Sequence, residues 1–235
     1  MRLDKLLANM GYGSRKEVKK WLKAGVVTVN GSVVQDGKTQ VDPDTDHVQF
    51  QGVTVEYRPY IYLMLNKPQG VISATEDASH TTVLDLLDPE YLIYDLFPVG
   101  RLDKDTEGLL LLTNDGKLSH ALLSPRRHVP KVYYAEIEGI VTDEDVDAFK
   151  SGVTLDDGYH TLPAELHIID SGEQSRVELT IVEGKFHQVK RMFEAVGKRV
   201  IYLKRTKMGP LALDAHLEPG EYRELTEEEV QLLQG

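Results

Sequence analysis

The chain predicts an α+β fold in two parts. A small N-terminal helix–helix–hairpin module precedes a larger domain with a central antiparallel or mixed β-sheet flanked by helices. Three observations predict it. Helical periodicity in the first 25 residues gives way to β-branched pairs around an Asn-Gly turn. Asp42-Pro43-Asp44 and Glu56-Tyr57-Arg58-Pro59 then punctuate the chain as a linker would. Beyond Tyr60, six apolar runs alternate irregularly with amphipathic stretches, which favours a sheet carrying helices over a regular parallel α/β layer. The expected parts are residues 1–58, module and linker, and 59–235.

Leu3, Leu6 and Leu7 recur at helical spacing until Gly11 and Gly13. Ser14 with Glu17 forms a capping box for a second helix. Val18, Trp21 and Leu22 make its apolar face. Lys16, Lys19, Lys20 and Lys23 follow i, i+3, i+4, i+7 on the other face, and Gly25 ends it. Val26–Val29 and Ser32–Val34 flank Asn30-Gly31, the pair a type I′ hairpin turn prefers because both central residues need positive φ. The four lysines with Arg2, Arg15 and Asn30 are the candidate RNA-binding residues. A helical hairpin whose lysines only confer solubility stays open as the plainer reading. The order resembles the small alpha-L RNA-binding domain of a small-subunit ribosomal protein and of many RNA-modifying enzymes, over residues 1 to about 50.

In the larger part, strands are expected at Tyr60–Leu65, Gly108–Leu112, Lys131–Ile137, Ala164–Ile169, Arg176–Val182 and Val200–Leu203. Helices are expected near Val83–Leu87, Lys117–Leu123, Thr142–Lys150 and His187–Val196, with a last one capped by Thr226 and Glu229.

The 235 residues are 41% hydrophobic and 28% charged, as in globular domains. No apolar run reaches the ~18 residues of a membrane span. Met1-Arg2-Leu3-Asp4-Lys5 lacks the apolar core of a signal peptide, so cytoplasmic residence is expected. Without cysteine, disulfides, thiolate nucleophiles and cysteine zinc sites are excluded. The net charge of -11 is unevenly spread. Residues 1–40 hold eight Lys/Arg against three Asp/Glu, and residues 184–207 hold eight against one. Phosphate backbones respond to such patches, not to the global balance.

No P-loop, dinucleotide fingerprint or His-Glu-x-x-His pair is present. Residues 100–108, Gly100-Arg101-Leu102-Asp103-Lys104-Asp105-Thr106-Glu107-Gly108, pack five charges into a turn between apolar runs. A calcium loop would need Glu at its twelfth position, where Asn114 stands. From spacing alone Asp103 is equally a turn former. Lys131-Val132-Tyr133-Tyr134 suggests a strand whose tyrosines point to opposite sides, one toward a core or cleft. In Glu183–Phe193, the apolar positions Val189, Met192 and Phe193 leave Lys190 at the edge of the buried face and Arg191 nearly opposite it. Both could equally be a solvated basic face.

Four motifs fall in one order. They are Leu63-Met64-Leu65-Asn66-Lys67-Pro68-Gln69-Gly70, Val99-Gly100-Arg101-Leu102-Asp103, Lys131-Val132-Tyr133 and Gly184-Lys185-Phe186-His187-Gln188-Val189-Lys190-Arg191. Together they resemble the RsuA-type pseudouridine synthases, and the match continues through Pro219-Gly220-Glu221-Tyr222-Arg223 over essentially the whole chain. The resemblance implies the pseudouridine synthase fold and a tethered RNA-binding domain. It implies that Asp103 is the catalytic aspartate, Tyr133 the active-site tyrosine and Lys190 the basic partner of the aspartate. Arg101, Arg191 and His187 are the expected substrate-binding residues.

That reaction moves the ribose bond of uracil from N1 to C5, with no net redox or hydrolysis, so no cofactor and no metal are expected. An ionised Asp103 could attack C1′, deprotonate C2′ or add to the ring, and an opposite charge nearby favours the ionised form of a carboxylate. An Asp103–Lys190 ion pair in a largely dry cleft is therefore expected. The expected partner is ribosomal RNA, 16S by the closest branch of the resemblance, which includes Thr81-Thr82-Val83-Leu84-Asp85-Leu86-Leu87. That RNA would be free or in a partly assembled small subunit, and the protein monomeric. A 23S target, a non-catalytic assembly factor and a metal-dependent phosphodiesterase are the competing readings.

Overall fold

A computed structural model describes all residues 1–235. The chain divides into two compact units. The first comprises Met1–Ile61 and Leu87–Asp95, and the second Tyr62–Leu86 and Leu96–Gly235.

The first unit begins with α1 (Leu3–Asn9) and α2 (Arg15–Lys23). Ser14 and Glu17 form the capping box at the start of α2, with Glu17 also accepting from the Ser14 amide at 2.8 Å. Strands β1 (Val27–Val29), β2 (Ser32–Val33), β3 (Val48–Phe50) and β4 (Val53–Thr54) make an antiparallel sheet in the order β2-β1-β3-β4. Asn30 and Gly31 take the positive φ values, 51° and 82°, that the hairpin requires. Leu3, Leu6, Leu7, Val18, Leu22, Val27, Val41 and Val48 are buried in one core. Trp21 departs from the expected apolar face. It is 41% exposed and presents its edge to Phe50 at 6.0 Å.

The second unit adds β5 (Tyr62–Lys67), β6 (Phe97–Pro98), β7 (Glu107–Thr113), α3 (Gly116–Leu123), β8 (Lys131–Glu138), α4 (Asp143–Ser151), β9 (Glu165–Asp170) and β10 (Gln174–Ile181). It closes with α5 (Gln188–Ala195), β11 (Arg199–Met208), β12 (Leu211–Ala212), β13 (Tyr222–Glu224) and α6 (Glu227–Gln234). The sheet runs β13-β5-β7-β11-β8-β10-β9, with β6 on β7 and β12 on β11. Only β7 and β11 pair in parallel, so the sheet is mixed. Leu109 and Leu111 face one core with Met64, Leu118, Leu122 and Met208. Leu110 and Leu112 alternate to the other face and are also buried, so β7 is covered on both sides. Phe149 of α4 meets Phe193 of α5 edge-on at 4.9 Å.

Two expectations change. Val83–Leu87 forms only a 3-10 turn, Val83–Leu86, because Thr82 donates its amide to the Asp85 carboxylate and closes the segment within a few residues. The strand expected at Val200–Leu203 extends to Met208 through charged residues.

Candidate active site

The loop carrying Asp103 lies between β6 and β7. Its backbone is fastened from within the fold. The buried Ser73 hydroxyl donates to the Leu102 carbonyl at 2.9 Å and accepts from the Leu102 amide at 3.0 Å. The Gly70 amide donates to the Lys104 carbonyl at 2.8 Å, and the Thr106 amide to the Asp103 carbonyl at 3.0 Å. Lys67 is fully buried, and its ammonium donates to the carbonyls of Pro68, Lys104 and Thr106 at 2.8, 3.3 and 2.8 Å. Burial pushes the Lys67 pKa down to about 8, against the pull of the Asp105, Asp103 and Glu107 carboxylates. Gly108 then brings β7 against β11. At φ 109°, a Cβ there would fall 2.2 Å from the Arg205 carbonyl oxygen, so only glycine fits.

Two side chains, Lys190 and His187, converge on the carboxylates of this loop. Lys190 donates to Asp103 Oδ2 at 3.1 Å and to Asp105 Oδ1 at 2.6 Å. His187 Nε2 lies 3.4 Å from Asp103 Oδ1. Burial works against the Lys190 charge, but hydrogen bonds and attraction from Asp105 and Asp103 outweigh it and raise its pKa. Burial likewise opposes the Asp105 charge, and Lys190 overrides it to lower that pKa. The Asp103 side chain is 29% exposed, so the cleft is half-open and not dry.

The turn before α5 is equally well held. Buried Gln188 accepts from the Lys185 amide at 2.9 Å and donates to Glu183 at 2.9 Å. Glu183 also accepts from the Tyr159 hydroxyl at 2.6 Å and the Leu162 amide at 2.7 Å. His187 sits in the left-handed region at φ 47°, a conformation that strains a non-glycine residue.

Asp103, His187 and Lys190 line two cavities. One, of about 420 Å³, contains Tyr133, Leu203, Lys131 and Arg205. Tyr133 and Arg205 are register partners on β8 and β11. Arg205 is buried, with Nε donating to the Leu109 carbonyl at 2.8 Å and Nη2 unpartnered. The other cavity, of about 900 Å³, is bordered by Gln69, Arg101, Lys104 and Phe186. A carboxylate between an aromatic-walled hollow and a cationic rim suits chemistry on a base extruded from a polyanion.

The family comparison decides which chemistry. The model of the RNA pseudouridylate synthase family matches residues 61–195, and that of the S4 domain matches residues 1–47. The chain belongs to the RNA pseudouridine synthase family. An uncharacterized RNA pseudouridine synthase of Bacillus subtilis (strain 168) is 58% identical, covering 99% of this chain and 98% of its own. The ribosomal small subunit pseudouridine synthase A of Yersinia pestis is 47% identical, covering 98% and 97%. A crystal structure of a pseudouridylate synthase aligns with a TM-score of 0.69 and 38% identity, covering 99% of each chain.

In this RNA pseudouridine synthase, Asp103, Tyr133, Lys190 and His187 come together at the cavities, with Arg101 exposed at their rim. Arg191 does not turn outward to solvent. It pairs with Asp156 at 2.5 Å and Asp157 at 2.9 Å, and donates to the Phe186 carbonyl at 3.0 Å. In the S4 domain, Arg15, Lys16, Lys19, Lys20 and Lys23 are exposed. Arg2 is engaged by Asp4 through two bonds, at 3.0 and 2.6 Å. The Asn30 amide spans Asp46 and the His47 backbone, so it holds a loop of its own domain. Sequence reasoning assigned no role to Lys67, Glu183, Gln188 or Arg205, and weighed Asp105 only as an acid of the competing metal-binding readings. Glu183 and Gln188 carry no signal beyond lying in the same short motif as Lys190. Lys67 carries one: a lysine ending an apolar run just before a proline.

Proposed function

We propose that this RNA pseudouridine synthase isomerises one uridine of 16S rRNA, of the uridine-516 class, with Asp103 as the nucleophile. The observation that carries the nucleophile is the ion pair with Lys190, which holds the Asp103 carboxylate between the two cavities. The full-length similarity to small-subunit synthases supports the 16S target. The flipped uridine enters the smaller cavity and stacks on Tyr133. The Asp103 carboxylate starts the reaction, the N1–C1′ bond breaks and the C5–C1′ bond forms. The C5 proton leaves, with Tyr133 assisting, and N1 gains one, so the reaction is balanced with no cofactor or metal. Lys190 holds the Asp103 carboxylate in place through their ion pair, while His187 and Arg101 orient the RNA. Arg191 contributes by fixing the turn before α5. The exposed S4-domain lysines and Arg15 hold the rRNA, free or in a partly assembled small subunit, while Arg2 and Asn30 serve by holding the domain's own loops. The protein acts as a cytoplasmic monomer.

The test is to map pseudouridines on rRNA from cells lacking the protein, complemented with wild type or Asp103→Asn. One 16S site should vanish, return with wild type and stay absent with Asp103→Asn, although that variant still binds RNA. Loss of a 23S site instead would move the target. Appreciable turnover by Asp103→Asn would remove it as nucleophile.

A further inference from the structure

Phe186 is 75% exposed, the most exposed of the large hydrophobic side chains. Leaving such a ring in water forgoes the free energy of burying it. Its neighbourhood is rigid all the same. One face stacks on the His187 ring, with centroids 3.8 Å apart and planes 18° apart. The Phe186 carbonyl accepts from Arg191, and the adjacent Lys185 amide donates to buried Gln188. The Nε2 of the same His187 ring lies 3.4 Å from Asp103 Oδ1. An open aromatic face is thus fixed one ring away from the reacting carboxylate, on the wall of the larger cavity. Three exposed cations, Arg101, Lys104 and Lys185, line that cavity. No carboxylate salt-bridges any of them.

We infer that Phe186 is a stacking platform for the nucleobase adjacent to the target uridine. Extruding a uridine unstacks its neighbours, and an aromatic face restores part of what they lose. The ring is sequence-tolerant because every base has a π-face, and the three cations complement the phosphates on either side. A protein partner would instead bring apolar side chains to a lone exposed ring beside three cations that no carboxylate pairs. The inference rests on Asp103 marking the reacting centre, which turnover by Asp103→Asn tests separately.

The experiment measures kcat and KM on a transcript of the rRNA segment holding the mapped uridine, whichever rRNA it lies in. Three RNAs are compared: the natural one and two carrying an abasic nucleotide on the 5′ or the 3′ side of the uridine. On natural RNA, Phe186→Ala should lower kcat/KM by about 5- to 100-fold, mostly through KM. Phe186→Trp, which keeps a ring face, should stay within about threefold of wild type. On one abasic RNA, wild type and Phe186→Ala should converge, because the stacked base is already gone. An unchanged kcat/KM for Phe186→Ala, a loss persisting on both abasic RNAs, or a Trp variant as weak as the Ala variant would each overturn the inference.

Discussion

Lys190 serves two carboxylates, and the distances are unequal: 2.6 Å to Asp105 and 3.1 Å to Asp103. Asp105 therefore competes with Asp103 for the Lys190 ammonium. Lys190→Met should lower kcat on the order of 100-fold while RNA binding persists. Asp105→Asn frees the ammonium for Asp103, so its kcat should change by less than about tenfold. A larger loss would make Asp105 a direct participant. The pH dependence of the cluster follows from signs. The Lys190 pKa is raised in the fold, so its contribution is complete below the unfolded value of 10.5 and is lost as pH rises through the native value. The Asp105 pKa is lowered, so its contribution is complete above 3.8 and is lost as pH falls through the native value. The stability difference between wild type and Lys190→Met, measured by urea unfolding, should thus be flat from about pH 5 to pH 9. Lys67 fastens the loop from beneath through its three carbonyl bonds. Lys67→Met leaves three carbonyls without their donor and should cost about 3 kcal/mol or more in the same assay.

Among the elements, α2 was legible in all but the exposed Trp21 because its signals are local: a capping box, an apolar face and a basic face within ten residues. Strand β11 was legible for four residues of its ten. Lys204, Arg205 and Lys207 break its apolar texture, and nothing local reveals that Arg205 is buried with its Nε on Leu109. Strand β13 was not seen at all. Three residues have no periodicity, and Tyr222–Glu224 become a strand only by pairing with Leu63–Leu65. The same limit applies to the site. Asp103, Tyr133 and Lys190 were legible through motifs, whereas the Glu183–Gln188–Tyr159 network depends on contacts between distant segments. Strand β13 also carries a prediction. Arg223 pairs with Asp214 at 2.7 Å and with Glu229 of α6 at 2.8 Å. The His216 amide and then Arg223 hold the Asp214 pKa down to about 2. That stabilisation is present above the unfolded value of 3.8 and is lost as pH falls toward 2. Arg223→Ala should therefore unfold at a higher pH than wild type in an acid titration followed by circular dichroism.

On the scale of the whole molecule, an acidic protein of net charge -11 binds a polyanion by concentrating its cations. The S4-domain stripe is exposed and on one short helix, so its removal should act on affinity and leave the chemistry intact. Replacing Lys16, Lys19, Lys20 and Lys23 with Gln should weaken rRNA binding and flatten its dependence on salt. Each lost phosphate contact removes about 0.7–0.9 from the slope of log K against log salt. An unchanged slope would place the RNA contacts elsewhere.

The parallel pairing of β7 with β11 also has a consequence in time. Asp103 and Lys190 stand 87 residues apart, and the strand that closes the loop beneath Asp103 comes later still. At 5–20 residues per second, a ribosome needs roughly 4 to 17 s to travel from the aspartate codon to the lysine codon. The S4 domain, with a core of its own, has by then already emerged. A nascent chain therefore completes the core of its S4 domain well before Asp103 and Lys190 can meet.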